Sequence, residues 1–112
     1  MNDNLFRGKI EIRNENGKIV LINELPLEDY LKGLAETSNG DHVEKMKTII
    51  VAARSYAYFY TKAENRKFPG KPYDGSDDPD VFQKYLGYGY ELRSPNAAKY
   101  VDETNGEMIT YS

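Results

Sequence analysis

The chain has no cysteine, no tryptophan and one histidine. It also has no apolar run near the roughly 18 residues that a membrane span needs. Each absence excludes some chemistry. Without cysteine there are no disulfides, no thiolate metal sites and no cysteine nucleophile. The compartment stays open, because many exported bacterial proteins also lack cysteine. His42 alone gives little from which to build a histidine metal site or a Ser-His-Asp triad. The N-terminus has no apolar segment of the kind a signal peptide carries, so none is expected. Lys plus Arg number 15 against 18 Asp plus Glu, a formal charge of −3. With no basic block in addition, nucleic-acid binding is not expected. Gly87-Tyr88-Gly89 is too short for a phosphate loop and lacks the Lys-Ser/Thr that should follow.

What is present describes one globular domain. Of 112 residues, 39% are hydrophobic and 29% charged, which suits neither a disordered chain nor a membrane protein. Ten tyrosines stand out. Tyrosine joins an apolar ring to a polar tip, so it suits both core edges and sugar-facing clefts.

Along the chain, Ile10 and Ile12 alternate with charges, the two-residue period of a half-buried strand. Asn16-Gly17 is a two-residue hairpin turn, and Lys18 to Asn23 is the β-branched return strand. Pro26 opens a short helix whose apolar face is Leu27, Tyr30, Leu31 and Leu34, running toward Ala35. After a Thr37–Gly40 loop, Asp41 is the expected N-cap of a long helix, with Glu44 three residues on. Val43, Met46, Ile50, Ala53, Ala57 and Tyr60 form one apolar stripe, so the helix should run to about Lys62. Residues 65–92 hold most of the turn formers, with a helical turn expected over Asp80–Leu86. Ser94-Pro95 starts another short helix, and Met108 to Tyr111 reads as a closing strand. The expected fold class is α+β: a short N-terminal hairpin or meander, a long central amphipathic helix, short flanking helices and a C-terminal strand.

Three features compete for chemistry. Glu36 sits at a helix–loop junction, where desolvation raises a carboxyl toward general-acid range. The ordinary reading is a solvent-facing or capping Glu, and residue type alone does not lift Glu36 above Glu28 or Glu44. Arg54 is a charge inside a largely apolar helix. It either orients a carboxylate or a sugar, or lies along the helix flank with its head in water. Asp74, Asp77, Asp78 and Asp80 could hold Ca²⁺, but their spacing does not fit an EF-hand loop, and solvated turn formers are the simpler reading.

Ile22-Asn23-Glu24-Leu25-Pro26-Leu27-Glu28-Asp29-Tyr30-Leu31-Lys32-Gly33 resembles the opening motif of the stage II sporulation protein D / amidase-enhancer domain, a bacterial cell-wall family. Val51-Ala52-Ala53-Arg54-Ser55-Tyr56-Ala57 is similar to the family's second motif. Tyr73-Asp74 with Phe82-Gln83-Lys84-Tyr85-Leu86-Gly87 is similar to a third, and Ala97 to Tyr111 to a fourth. The likeness covers roughly residues 18 to 112. It implies a lytic transglycosylase acting on peptidoglycan glycan strands, or a non-catalytic relative that assists a cell-wall amidase. It also implies an extracytoplasmic or cell-wall location. The family's catalytic Glu, counted back from the long helix, falls on Glu36, though the family's preceding Pro is missing here. Arg54, Tyr73, Asp74, Gln83 and Tyr85 become the expected substrate contacts. Gly75 to Asp80 stand where the family carries Zn-type Cys and His, so no metal or other cofactor is expected. The family continues past its final Tyr into a Ser-Gly-Gly segment, whereas this chain stops at Ser112. A fragment or an incomplete site is the expectation.

Overall fold

The computed structural model describes residues 5–109. The order of elements is β1 (Lys9–Glu15), β2 (Lys18–Glu24), α1 (Leu27–Lys32), α2 (Val43–Thr61), a 3₁₀ turn (Ala63–Asn65), α3 (Tyr88–Arg93) and α4 (Pro95–Glu103). The α+β class is as expected from the sequence.

β1 and β2 form a two-stranded antiparallel hairpin, with Ile12 opposite Leu21 and Glu15 opposite Lys18. Asn16 and Gly17 close it at φ 52° and 82°. Both central residues must adopt positive φ in the turn whose twist matches paired strands. The strands are not half-buried through Ile10 and Ile12, which are exposed; Val20 and Ile22, on the opposite face, are the partly covered pair. The hairpin stands away from the helical core, so period-two alternation found the pleat but not which side is covered.

The core lies where α1, α2 and α4 meet. Leu31, Leu34, Met46, Ile50, Ala53, Tyr90, Ala97, Tyr100 and Val101 are buried together. The expected stripe of α2 is its buried face at Met46, Ile50, Ala53 and Ala57, whereas Val43 stays exposed. His42, not Asp41, caps this helix: its Nδ1 accepts a hydrogen bond from the Glu44 amide. The Asp41 carboxylate is already engaged one residue earlier, accepting from the Ser38 amide in a tight turn and pairing with Lys45.

Two local readings differ from the structure near residue 85. Asp80–Leu86 is not a helical turn: the chain turns at Pro79–Val81 and is extended where Tyr85 pairs with Leu34. The Ala35 amide donates to the Lys84 carbonyl and the Leu86 amide to the Gly33 carbonyl, so tertiary pairing outcompetes local helix. Gly33 permits this approach, because a Cβ there would lie 2.7 Å from the Tyr85 ring. Helix α3 follows at once, concealed in the sequence by the two glycines around Tyr88. Its buried Glu91 accepts three hydrogen bonds from Arg7, whose guanidinium also lies over the Tyr88 ring.

The C-terminal strand is not seen. Met108 and Ile109 have no regular structure, and the rest of the expected strand lies outside the described residues. The Ile109 amide instead donates to Ser55 Oγ on α2. Because Ala53 sits in the core, Ala53→Asp should destabilise the domain by about 3 kcal/mol. Thermal unfolding followed by circular dichroism should show a loss of more than about 10 °C, and a shift of one or two degrees would place Ala53 outside the core.

Candidate functional site

Glu36 lies in the connection between α1 and α2, and that backbone is held at several points. The Ala35 amide is bonded to Lys84, and the Tyr90 hydroxyl donates to the Thr37 carbonyl. Ser38 closes on Asp41. The Asn96 side chain donates to the Asn39 carbonyl, while the Asn96 backbone amide donates to Asn39 Oδ1. The connection therefore has little freedom, although its carboxylate does. Glu36 is exposed, contrary to the partial burial expected for a general acid. The Pro that precedes the Glu in the family is absent, and the chain bends at Glu36 and Thr37.

Glu36 borders a shallow hollow open to solvent, which encloses only about 10 Å³. Leu31, Leu34, Ile49, Ile50, Ala53 and Ala97 form its apolar walls, with Thr37 beside Glu36. Glu36 is the only ionisable residue in that lining. The enclosed volume is room for about one water, far below the range of small-molecule sites.

Behind Glu36 lies a buried polar relay. The Tyr30 phenol is pushed well above its ordinary range, first by burial and then by the Glu36 charge. It donates to Gln83 Oε1 at 2.7 Å, and Gln83 Nε2 donates to the Ala53 carbonyl at 3.1 Å. Tyr85 stacks on Tyr30 with centroids 5.1 Å apart and donates to Asn23 Oδ1 at 2.6 Å. Burial, followed by the Glu91 and Asp29 carboxylates, pushes Tyr85 up to about 12. Gln83 is thus an internal strut between Tyr30 and α2, and Tyr85 is a half-buried brace between the hairpin and α1.

The other expected contacts take no part in this relay. Arg54 is 0% exposed, and its head never reaches water along the helix flank. Nε and Nη2 grip the Glu28 carboxylate at 2.9 and 2.7 Å, while the remaining hydrogens reach Thr104 Oγ1 and the Val101 and Glu107 carbonyls. Of the two readings, Arg54 orients a carboxylate, and that carboxylate belongs to the protein. Glu28 is therefore a partly buried ion-pair partner rather than a free or capping residue. Only its distance from Arg54 in sequence hid the pair. Tyr73 packs on Phe68, and Asp74 pairs with Arg66, which also ties down the Lys71 and Tyr73 carbonyls. Asp78 accepts from the Asp80 amide as a turn former. Among the described residues no group of three or more His, Asp or Glu is placed to hold a metal ion. Nor is any helix among them long and apolar enough to cross a membrane.

A family model described as "Stage II sporulation protein" matches residues 15–111. The chain is also 31% identical over 109 residues to an uncharacterized protein of Brachyspira hyodysenteriae (strain ATCC 49526 / WA1). That alignment covers 95% of this chain and 28% of the relative, so the chain spans little more than a quarter of that protein. No solved structure matches significantly.

Two predictions follow from the buried pairings. Glu28→Gln keeps the side-chain shape but leaves Arg54 without its counter-ion. The Glu28 side chain is 31% exposed, which discounts the cost, so urea unfolding should show a loss of about 2–3 kcal/mol; an unchanged midpoint would mean that the pair contributes nothing. Tyr85 is held neutral in the fold, with its ionisation raised from the ordinary tyrosine value to about 12 by burial. Its contribution is present below the unfolded value and is lost as pH rises through the folded one. Tyrosinate absorbance should show Tyr85→Phe removing one of the last-titrating phenols, with alkaline unfolding moved to a different pH.

Proposed function

The chain belongs to the stage II sporulation protein family, and we propose that it is a cell-wall domain that binds peptidoglycan glycan strands and cleaves them as a lytic transglycosylase. Membership points to a cell-wall role, and the finer reading rests on Glu36. The observation that carries it is a lone carboxylate at the edge of an apolar pocket, on a backbone pinned from three directions.

One carboxyl is sufficient for this reaction. Hydrolytic glycosidases generally use two, one of them for water or as nucleophile. In a transglycosylase the sugar's own C6 hydroxyl is the nucleophile. Glu36, protonated, gives its proton to the glycosidic oxygen as the C1–O bond breaks. The C6 oxygen bonds to C1, and the Glu36 carboxylate takes the hydroxyl proton, which restores the acid and leaves a 1,6-anhydro end. The exposure of Glu36 in the free protein gives the substrate a specific task. A glycan lying across the pocket displaces water from the carboxyl, and that desolvation favours its protonated form. The pocket's aliphatic walls suit the apolar faces of sugar rings, while Thr37 offers a hydroxyl. Tyr30, Gln83 and Tyr85 support the wall beneath Glu36. Tyr73 and Asp74, held by Phe68 and Arg66, are assigned to the outer run of the same strand. An extracytoplasmic or wall-associated setting follows from the substrate.

The second reading is a non-catalytic wall-binding module that activates an amidase. The exposure of Glu36 and the shallowness of its pocket favour it. Digestion of purified glycan strands by the full-length protein, with products weighed for anhydro ends, separates the two. Glu36→Gln should lower cleavage by at least about a hundredfold while glycan binding persists. Equal anhydro yield from the variant would remove Glu36 as the catalyst. Tight glycan or amidase binding by a wild type that never cleaves would establish the module.

A further inference from the structure

The hairpin presents two unlike faces. Its register places Ile10, Ile12, Asn14, Ile19, Leu21 and Asn23 on one side. Lys9, Glu11, Arg13, Glu15, Lys18 and Glu24 share the other side with Val20 and Ile22. The charged side is partly covered by the protein's own chain: Glu15 pairs with Lys71 of the loop after the 3₁₀ turn, and Val20 and Ile22 are half-buried. On the uncharged side Asn23 is partly covered at one corner, where its Oδ1 accepts from the Tyr85 hydroxyl, while the aliphatic residues stand open. Ile10, Ile12, Ile19 and Leu21 are 46, 70, 77 and 65% exposed. A soluble domain rarely leaves four aliphatic side chains grouped in water, and such a patch ordinarily marks an interaction surface.

We propose that this face is a self-association surface, on which the hairpins of two copies of the chain stack face to face as a small β-sandwich. Three observations select a second copy as the occupant. The face carries no charge, so two copies meet there without like-charge opposition despite the net charge of −3 of each. Ile12 and Leu21 lie directly opposite each other at its middle, with Ile10 and Ile19 at diagonal corners. A two-fold axis through the middle brings aliphatic side chains against aliphatic side chains at the roughly 10 Å spacing of packed sheets. The area is also of the right size. Roughly 100–150 Å² exposed on each of the four side chains gives about 1,000 Å² over two copies, the lower bound for a specific interface. The dimer is accordingly weak and reversible, and it supplies the second layer that a two-stranded ribbon lacks. This inference is independent of the glycan reading, since the face does not include Glu36.

Sedimentation equilibrium of the intact chain at physiological salt tests it. The weight-average mass should rise from monomer toward dimer with a midpoint on the order of 0.1 mM, as expected for an interface of minimal area. Ile12→Lys with Leu21→Lys puts like charges at the centre of the face and should hold the protein monomeric at every concentration. Both positions are solvent-exposed in the monomer, so far-ultraviolet circular dichroism should confirm an unchanged fold. A wild type still monomeric at about 1 mM would overturn the proposal and leave the face to another protein or another part of a longer chain. A dimer that survives both lysines would overturn it as well, by placing the contact elsewhere.

Discussion

The domain is organised around one buried cation. Arg54 is fully enclosed, and a guanidinium without partners in that position would cost more than the domain could sustain. Its partners come from two other parts of the chain: Glu28 in α1, and the end of α4 with the segment that follows it, through Val101, Thr104 and Glu107. The fork geometry of arginine makes this possible, because five fixed N–H donors can serve a carboxylate, a hydroxyl and carbonyls at the same time. Satisfying Arg54 therefore ties α1 and the end of α4 to α2. Lysine would carry the charge but not the geometry.

That packing carries over to the candidate site. With α1 held on α2, the residues just after it run alongside Lys84–Leu86, and Leu34 pairs with Tyr85. Tyr30 is partly buried on the same helix and spans to Gln83, which reaches back to the Ala53 carbonyl next to Arg54. The buried arginine and the Tyr30–Gln83 relay thus meet on adjacent residues of α2. Glu36 is exposed beyond this framework, on a backbone held by Tyr90 and Asn96. A rigid support carrying a solvent-facing carboxylate leaves desolvation to whatever ligand covers it.

The family's likeness and this structure agree about elements more than about roles. Arg54 and Gln83 themselves are buried here and bonded within the protein. Tyr73 and Asp74 lie in a loop closed by Arg66. Such a loop presents side chains outward without a regular element, which is how long connections commonly build binding edges.

Local signals in the sequence determined what depends on near neighbours. Asn16-Gly17 specified its turn because positive φ is a property of those two residues. The stripe from Met46 to Ala57 specified α2 and its buried face because helical period and burial coincide there. Pro26 and Pro95 marked helix starts. Tertiary structure alone decided the rest. Alternation gave the strands but not the uncovered face, because coverage depends on where the hairpin leaves the core. Capping chemistry selected Asp41, yet a turn to Ser38 claimed its carboxylate and left His42 to cap. Tyr85 became extended because Leu34 offered it partners. Glu28 and Arg54 lie 26 positions apart. Nothing in either residue's neighbourhood names the other, because an ion pair is a fact of distance in space, and only the packing of α1 on α2 brings the two charges together.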